Sequence, residues 1–531
     1  MKLLSLFCFG WVASAGFATA ERPNIVFLYS DDHAQHAISA YGSKVNQTPN
    51  IDRLATEGAR FTRSFVTNSI CTPSRATLLT GQYSHLNGVP VFNRLDGSRE
   101  TVAKLLQAAG YHTGMIGKWH LGSDPTGFDR WAVLPGQGAY VDPAFLVPGH
   151  RLKILGHCTE ITGDLGIEFL KTRPTDKPFF LMLHQKAPHR PWVPDERNKA
   201  LFKDRVIPEP ATLRDDYRTR PAALPVNQQT IARDLTHQDL KIPAPADLTG
   251  AARAAWPSTK PKQLEVDGKI LTGDELLRWK YQRYMQDYLA CVQGVDDQVG
   301  KVLRYLEESG LSKTTIVFYS SDNGWFLGDL GLYDKRFMYE PGLNVPLLVK
   351  GPGIKSGITP DQIVSNLDLA PTFLDLAGLP VPGFMQGRSL VPLLKGEQPA
   401  DWPQSFYYRY YHSPGDHHTA AHFGVRTATH KLICYPAKNA YEMYDLVQDP
   451  SEQHNLLFDE ADANQPTVRE RFEALKTEIL RLQTHYQDDG RYADPATWPK
   501  SSADAQANGL VPLGVKSVAE AIQATAQENP Q

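Results

Sequence analysis

Cysteine is scarce in this chain of 531 residues, and its five copies, Cys8, Cys71, Cys158, Cys291 and Cys434, lie far apart with no Cys-x-x-Cys pair. That spacing excludes a disulfide scaffold and a thiolate zinc cluster. Long apolar runs are missing too. No stretch approaches the ~20 apolar residues that cross a bilayer, so no membrane span is expected. Charge of one sign is the third absence: 55 Lys and Arg stand against 58 Asp and Glu, a formal −3, which leaves no global basic field to gather nucleic acid. Any affinity for an anion has to be built locally.

The first twenty residues have a pattern of their own. A lysine, the apolar stretch Leu3–Val12 and the small-residue site Ala18-Thr19-Ala20 form a signal peptide over 1–20, with cleavage expected before Glu21. A soluble periplasmic or secreted protein follows. The length allows about two to four domains.

Four short apolar runs each end abruptly in residues with catalytic potential. Asn24–Tyr29 leads into Ser30-Asp31-Asp32-His33, and Thr315–Tyr319 into Ser320-Ser321-Asp322-Asn323. Tyr111–Ile116 leads into Gly117-Lys118-Trp119-His120, and Phe179–Leu183 into His184 and then His189. Such runs read as buried strands of a mainly parallel sheet, whose ligands gather at the carboxyl ends of the strands. Helical patterns at Pro49–Glu57, Glu100–Ala109, Asp164–Lys171 and about Glu275–Glu308 alternate with them. The expected fold class is therefore α/β, a large mainly parallel sheet sandwiched by helices over 21–395. Residues 206–262, rich in proline and charge, read as a surface excursion that shapes a substrate cleft. Aromatic, alternating stretches at Ser405–Tyr411 and His422–Tyr435 predict a smaller C-terminal antiparallel sheet in an α+β unit over 396–490. The Ala, Gln and Ser-rich tail, 491–531, is expected to be poorly ordered.

Cys71-Thr72-Pro73-Ser74-Arg75 has the form of a helix entry, with proline in the first turn. Backbone N–H groups and the positive dipole end favour an anion at such a place, either a thiolate or an anionic substrate. A small buried cysteine is the plainer alternative. The surroundings decide against it: Cys71-Thr72-Pro73-Ser74-Arg75 followed by Leu79-Thr80-Gly81 matches C-x-P-S-R-x-x-x-L-x-G. On this motif the sequence resembles the type I sulfatases of the alkaline-phosphatase-like superfamily, and the resemblance runs from Pro23 to about Leu457. It implies that Cys71 is oxidised to formylglycine by a formylglycine-generating maturation enzyme, before or during export. A hydrated aldehyde has two hydroxyls on one carbon, so one can attack sulfur and the other can expel sulfate, a release step that serine lacks.

The resemblance also implies roles for the other residues. Asp31, Asp32, Asp322 and Asn323, with the modified Cys71, would hold a hard divalent cation, Ca2+ or else Mg2+, since the set is all oxygen. Arg75 would support the hydrate, and Lys118 and Lys335 would hold the sulfate. His120 would act as the base that drives collapse, and His189 would give a proton to the leaving oxygen. Three cationic side chains and a divalent ion outweigh three carboxylates, a balance that suits a sulfate monoester.

The stretches Asp31–Gly42, Asp334–Glu340 and Gly424–Thr427 resemble the branch of bacterial sulfatases that includes N-acetylglucosamine-6-sulfatases, acting on sulfated carbohydrate. Leu330-Gly331-Leu332-Tyr333 departs from the His-Gly pair common in that branch. His417 and His418 are the expected sugar contacts, beside an aromatic strand. Two other functions remain open at this level: an arylsulfatase or phosphonate or phosphate ester hydrolase, and a non-catalytic sulfated-glycan binding protein.

Overall fold

In a computed structural model, residues 22–220, 223–413, 415–494 and 497 are described, with the backbone of 511–513. The expected signal peptide and most of the expected disordered tail lie outside the described residues.

A ten-stranded sheet forms the centre. Its strands are β1 (Asn24–Ser30), β2 (Ala59–Arg60), β3 (His112–Lys118), β4 (Arg130–Leu134), β5 (Ala144–Val147), β6 (His150–Lys153), β7 (Phe179–His184), β8 (Thr315–Ser321), β9 (Leu347–Lys350) and, from the tail, a last strand Val511–Leu513. The central order β4-β3-β7-β1-β8 is parallel throughout, and antiparallel strands extend it on both sides. β1 shows why the sequence folds this way. Val26 and Leu28 join one core with Tyr284, Tyr288, Val292 and Val295, whereas Ile25, Phe27 and Tyr29 join another with Ala76, Leu79 and Phe373. Both faces of the strand are buried, so a continuous apolar run replaces alternation. Each such side chain contributes about 1.5–3 kcal/mol on burial.

The first face is covered by α2 (Cys158–Thr172) and the 36-residue α3 (Gly273–Glu308), the second by α1 (Cys71–Thr80) among others. A separate four-stranded antiparallel sheet follows: β10 (Ser405–Tyr410), β11 (His422–Thr427), β12 (His430–Tyr435) and β13 (Ala440–Asp445). One of its faces takes Leu475, Ile479 and Leu482 from α4 (Pro466–His485). Its other face packs Phe406, Tyr408, Tyr410 and Ile433 on Phe337, Met338 and Tyr339. That contact matters for the site, because Lys335 lies just upstream.

Two expectations need correction. Residues 206–262 are not simply a surface excursion: Ile207, Leu213, Leu224, Ile231, Leu235 and Leu240 are buried, each entering the core at irregular spacing that no periodic pattern reveals. Within the tail, Val511–Leu513 pairs in parallel with β6 as an edge strand, where Pro512 is tolerated.

Candidate active site

Parallel pairing places the first two carboxylates beside the next acidic pair. β1 and β8 run in register with Ser30 opposite Ser321, so Asp31-Asp32 and Asp322-Asn323 leave adjacent strand ends together. All four residues are buried. Asp32 takes a left-handed conformation, φ 67°, and its N–H donates to Asp322 Oδ1 at 3.1 Å. Carboxylate oxygens of Asp31, Asp32 and Asp322 lie within 4.8 Å of one another. Burial and the charges of Asp31 and Asp322 push the Asp32 carboxyl up, against the pull of Lys335. Burial also acts on Asp31, but Lys118, His189 and Arg75 hold it well below the usual carboxylate range. Asp31 Oδ1 and Asn323 Oδ1 are buried acceptors with no donor among the described residues. An all-oxygen set with crowded negative charge and orphaned acceptors fits a hard divalent cation.

Cys71 opens α1 and is buried, one side of its helix turned to this cluster. Ligand atoms of Asp31, Cys71 and His189 fall within 4.8 Å of one another. Burial pushes the Cys71 thiol up to about 11, although Lys118 and Lys335 oppose it. A thiolate nucleophile at neutral pH is thus disfavoured. One helical turn on, Arg75 donates through Nε to Asp322 Oδ2 at 2.8 Å and through Nη1 to the Lys118 carbonyl at 2.5 Å, and its Nη2 lies 2.7 Å from the same Asp322 oxygen in an ion pair.

Lys118 ends β3, where Gly117 has φ 96° and a Cβ would meet the His184 carbonyl at 1.9 Å; only glycine allows this approach of β3 to β7. The Lys118 ammonium pairs with Asp31 and donates to Gln137 Oε1 at 2.6 Å. Lys335 donates to both Asp32 oxygens at 2.5 and 2.6 Å and lies 5.0 Å over the Trp325 ring. Two cations therefore face two carboxylates across the site.

The histidines divide. His189 Nδ1 donates to the Arg190 carbonyl at 2.7 Å, which turns Nε2 toward Asp32 Oδ2 at 3.6 Å. Burial, aided by Lys118, holds its imidazolium form well below the usual range, and the same is true of His120. The His120 ring contacts Thr72 Oγ1 at 3.3 Å, beside Cys71. His417 Nε2 meets Asp334 Oδ2 at 3.1 Å, one residue from Lys335. His418 is exposed and makes no described side-chain contact with the cluster. The structure thus brings together Asp31, Asp32, Cys71, Arg75, Lys118, His120, His189, Asp322, Asn323 and Lys335, adds His417 at the rim and leaves His418 outside.

Sequence reasoning gave no role to Gln137, Asp334 or Arg336. Arg336 is buried, pairs with Asp334 and lies 3.7 Å from Asp416; its Nε has no hydrogen-bond partner among the described residues. Adjacency to Lys335 and a place in the Asp334–Glu340 stretch were the signals for Asp334 and Arg336.

The family profile described as Sulfatase matches residues 23–379, and that described as N-sulphoglucosamine sulphohydrolase, C-terminal, matches 328–484. An N-acetylglucosamine-6-O-sulfatase of Bacteroides thetaiotaomicron is 44% identical over 461 residues, covering 82% of this chain and 83% of that protein. The N-acetylglucosamine-6-sulfatase of Capra hircus is 27% identical over 477 residues, covering 83% and 76%. A solved structure in complex with its substrate D-glucosamine-2-N,6-O-disulfate superposes with a TM-score of 0.82 at 41% identity, covering 88% of this chain and 99% of that one. A profile match over most of the chain and this degree of identity agree with the residues gathered around Cys71: the chain belongs to the sulfatase family and is a sulfuric ester hydrolase.

Proposed function

We propose that the protein is an exported carbohydrate sulfatase that removes 6-O-sulfate from N-acetylglucosamine or a closely related glucosamine, using formylglycine at position 71 and a divalent cation, Ca2+ by preference. The observation that carries this reading is the meeting of Cys71 with Lys118, Lys335 and the Asp31, Asp32, Asp322 group in one buried site. The identity of the substrate rests on the 44% identical N-acetylglucosamine-6-O-sulfatase and the disulfated glucosamine held by the structural relative. Export rests on the 1–20 pattern.

Asp31, Asp32, Asp322 and Asn323 would hold the cation. When bound, it would neutralise the carboxylates and stabilise the charge that develops on the sulfate oxygens. Lys118 and Lys335 then turn from the carboxylates to the sulfate, and Arg75 fixes Asp322 and the end of β3. His120, kept neutral by burial, accepts a proton at the residue-71 hydroxyl whose loss releases sulfate. His189 donates from Nε2 only as imidazolium, because Nδ1–H is committed to the Arg190 carbonyl; burial and Lys118 disfavour that form, and the negative charge of a bound sulfate ester would favour it. A sugar alkoxide is a poor leaving group, so this proton is required. His417 stands where the 206–262 segment meets the Lys335 loop; with Nε2 against Asp334 and Nδ1 on the Gln228 carbonyl both ring nitrogens are taken, so it would meet a sugar through its ring face.

Protein co-expressed with a formylglycine-generating enzyme is to be assayed for sulfate release from defined 2-, 3- and 6-sulfated monosaccharides and from matched phosphate esters. Preference for 6-sulfated glucosamines supports the reading. Phosphate esters turned over faster than any sulfate ester, or no turnover by protein whose residue 71 is an aldehyde by mass, defeats it.

A further inference from the structure

We infer that Gln137 belongs to the substrate site, its amide nitrogen donating to the sulfate group that Lys118 holds; the inference rests on the sulfatase reading above. β4 runs parallel to β3 with Leu134 opposite Lys118, so the chain leaves both strands at the same level. The turn that follows is tight: the Gly138 N–H donates to the Pro135 carbonyl at 2.9 Å, and Gly136 and Gly138 have φ of 52° and 67°. A Cβ at Gly138 would come within 2.8 Å of Leu134 Cδ1. This fold-back carries Gln137 over the end of β3, where its Oε1 accepts from Lys118 Nζ at 2.6 Å. The other end of the loop is equally fixed. Tyr140 donates its hydroxyl to the His189 carbonyl at 2.6 Å, and its own carbonyl accepts from the Cys158 N–H at 2.7 Å.

An ammonium group only donates, so the oxygen of the carboxamide has to face Lys118 and its NH2 group has to face away. That NH2 group has no acceptor among the described residues. Lys118 is 0% exposed whereas Gln137 is half-buried, so the amide lies on the more exposed side of the lysine. A sulfate ester presents three peripheral oxygens. One held by Lys118 brings a second within reach of the adjoining amide, and donors aimed at such oxygens stabilise the charge they gain on transfer. Gln137 is thus fixed by one partner and free toward another, the arrangement expected of a binding residue rather than a prop.

Gln137→Glu separates the two roles. It keeps an oxygen for Lys118, and strengthens that pair, while it replaces both N–H donors with an oxygen that repels sulfate. Gln137→Ala removes both functions. Binding of inorganic sulfate is measured by calorimetry with Ca2+ present, and kcat/KM on a 6-sulfated sugar and on an aryl sulfate, with thermal melts as the folding control. Both variants are expected to weaken sulfate binding and lower kcat/KM on both esters by a common factor of about tenfold to a hundredfold, Gln137→Glu at least as much as Gln137→Ala. Wild-type sulfate affinity in Gln137→Glu overturns the inference, as does a loss confined to the sugar. If Gln137→Glu does not fold, Gln137→Met, which keeps length without the amide, takes its place. Sulfate binding needs no turnover, so a parent protein that binds sulfate through Gln137 but hydrolyses no sulfate ester defeats the proposed function and leaves this inference standing.

Discussion

Glu442 on β13 is 1% exposed and lies behind the segment that carries Lys335. Its Oε2 accepts from Tyr339 at 2.6 Å and Tyr444 at 2.9 Å, and its Oε1 has no donor among the described residues. Burial pushes its carboxyl up to about 7, against the two tyrosine hydroxyls and the charge of Arg220, with Glu452 adding to the rise. The folded protein therefore holds this proton more tightly than the unfolded chain does. Below the usual value of 4.5 both states are protonated and the group has no pH-dependent effect. Between 4.5 and about 7 the unfolded chain releases the proton first, and stability falls; above 7 the loss is complete. At about 1.4 kcal/mol per pH unit the interval amounts to about 3 kcal/mol. Glu442→Gln keeps the acceptor for both tyrosines and cannot ionise. Its NH2 group lands at Oε1 without a partner, a cost of about 1–3 kcal/mol that does not change with pH. Urea titrations of parent and variant from pH 4.5 to 8 should show the variant gaining about 3 kcal/mol relative to the parent as pH rises. Parallel stability curves would refute the assignment of this proton to Glu442.

Cys71→Ala should fold, retain divalent-ion binding at Asp31, Asp32, Asp322 and Asn323, and release no sulfate; turnover by the folded variant tells against a nucleophile at 71. Asn323→Ala removes one orphaned oxygen and should lower metal occupancy, read by elemental analysis, together with kcat, whereas full activity in metal-stripped protein contradicts the assignment. His189→Ala should lose about 10²–10⁴ in kcat on a sugar sulfate and far less on an aryl sulfate, whose phenolate leaves without a proton; equal losses count against His189 as the donor.

The sheet and the buried carboxylate cluster were legible because one physical fact writes both. A strand buried on two faces is a continuous apolar run, and in a parallel sheet its carboxyl end faces the ligand, so Asp31-Asp32 and Asp322-Asn323 announce themselves where β1 and β8 stop. Nothing comparable marks the sugar side. His417 reaches Asp334 through a turn at which it and His418 both have positive φ, 59° and 54°, so two neighbouring histidines of equal promise diverge, one inward and one to solvent. Residues 206–262 meet that turn through the Gln228 N–H and carbonyl, a long-range contact with no local pattern. Gln137 stands out only once β4 is set beside β3.

The burial of Cys71 bears on when its proposed conversion can occur. The residue is 1% exposed, all ten residues of α1 are buried, and Arg75 ties that helix to Asp322 and to the end of β3. A macromolecular catalyst cannot reach the thiol without parting α1 from the central sheet, which would break the buried pair of Arg75 with Asp322 at a cost of about 3–5 kcal/mol and expose the apolar contacts around Ala76 and Leu79 as well. The folded site also keeps the thiol protonated, with its value near 11, and so less reactive toward an oxidant. Conversion as proposed would therefore require recognition of Cys71-Thr72-Pro73-Ser74-Arg75 on an extended chain, before α1 forms. The same five residues would then serve twice, first as an unfolded signal and afterwards as the buried entry to the helix that presents residue 71 to the carboxylates.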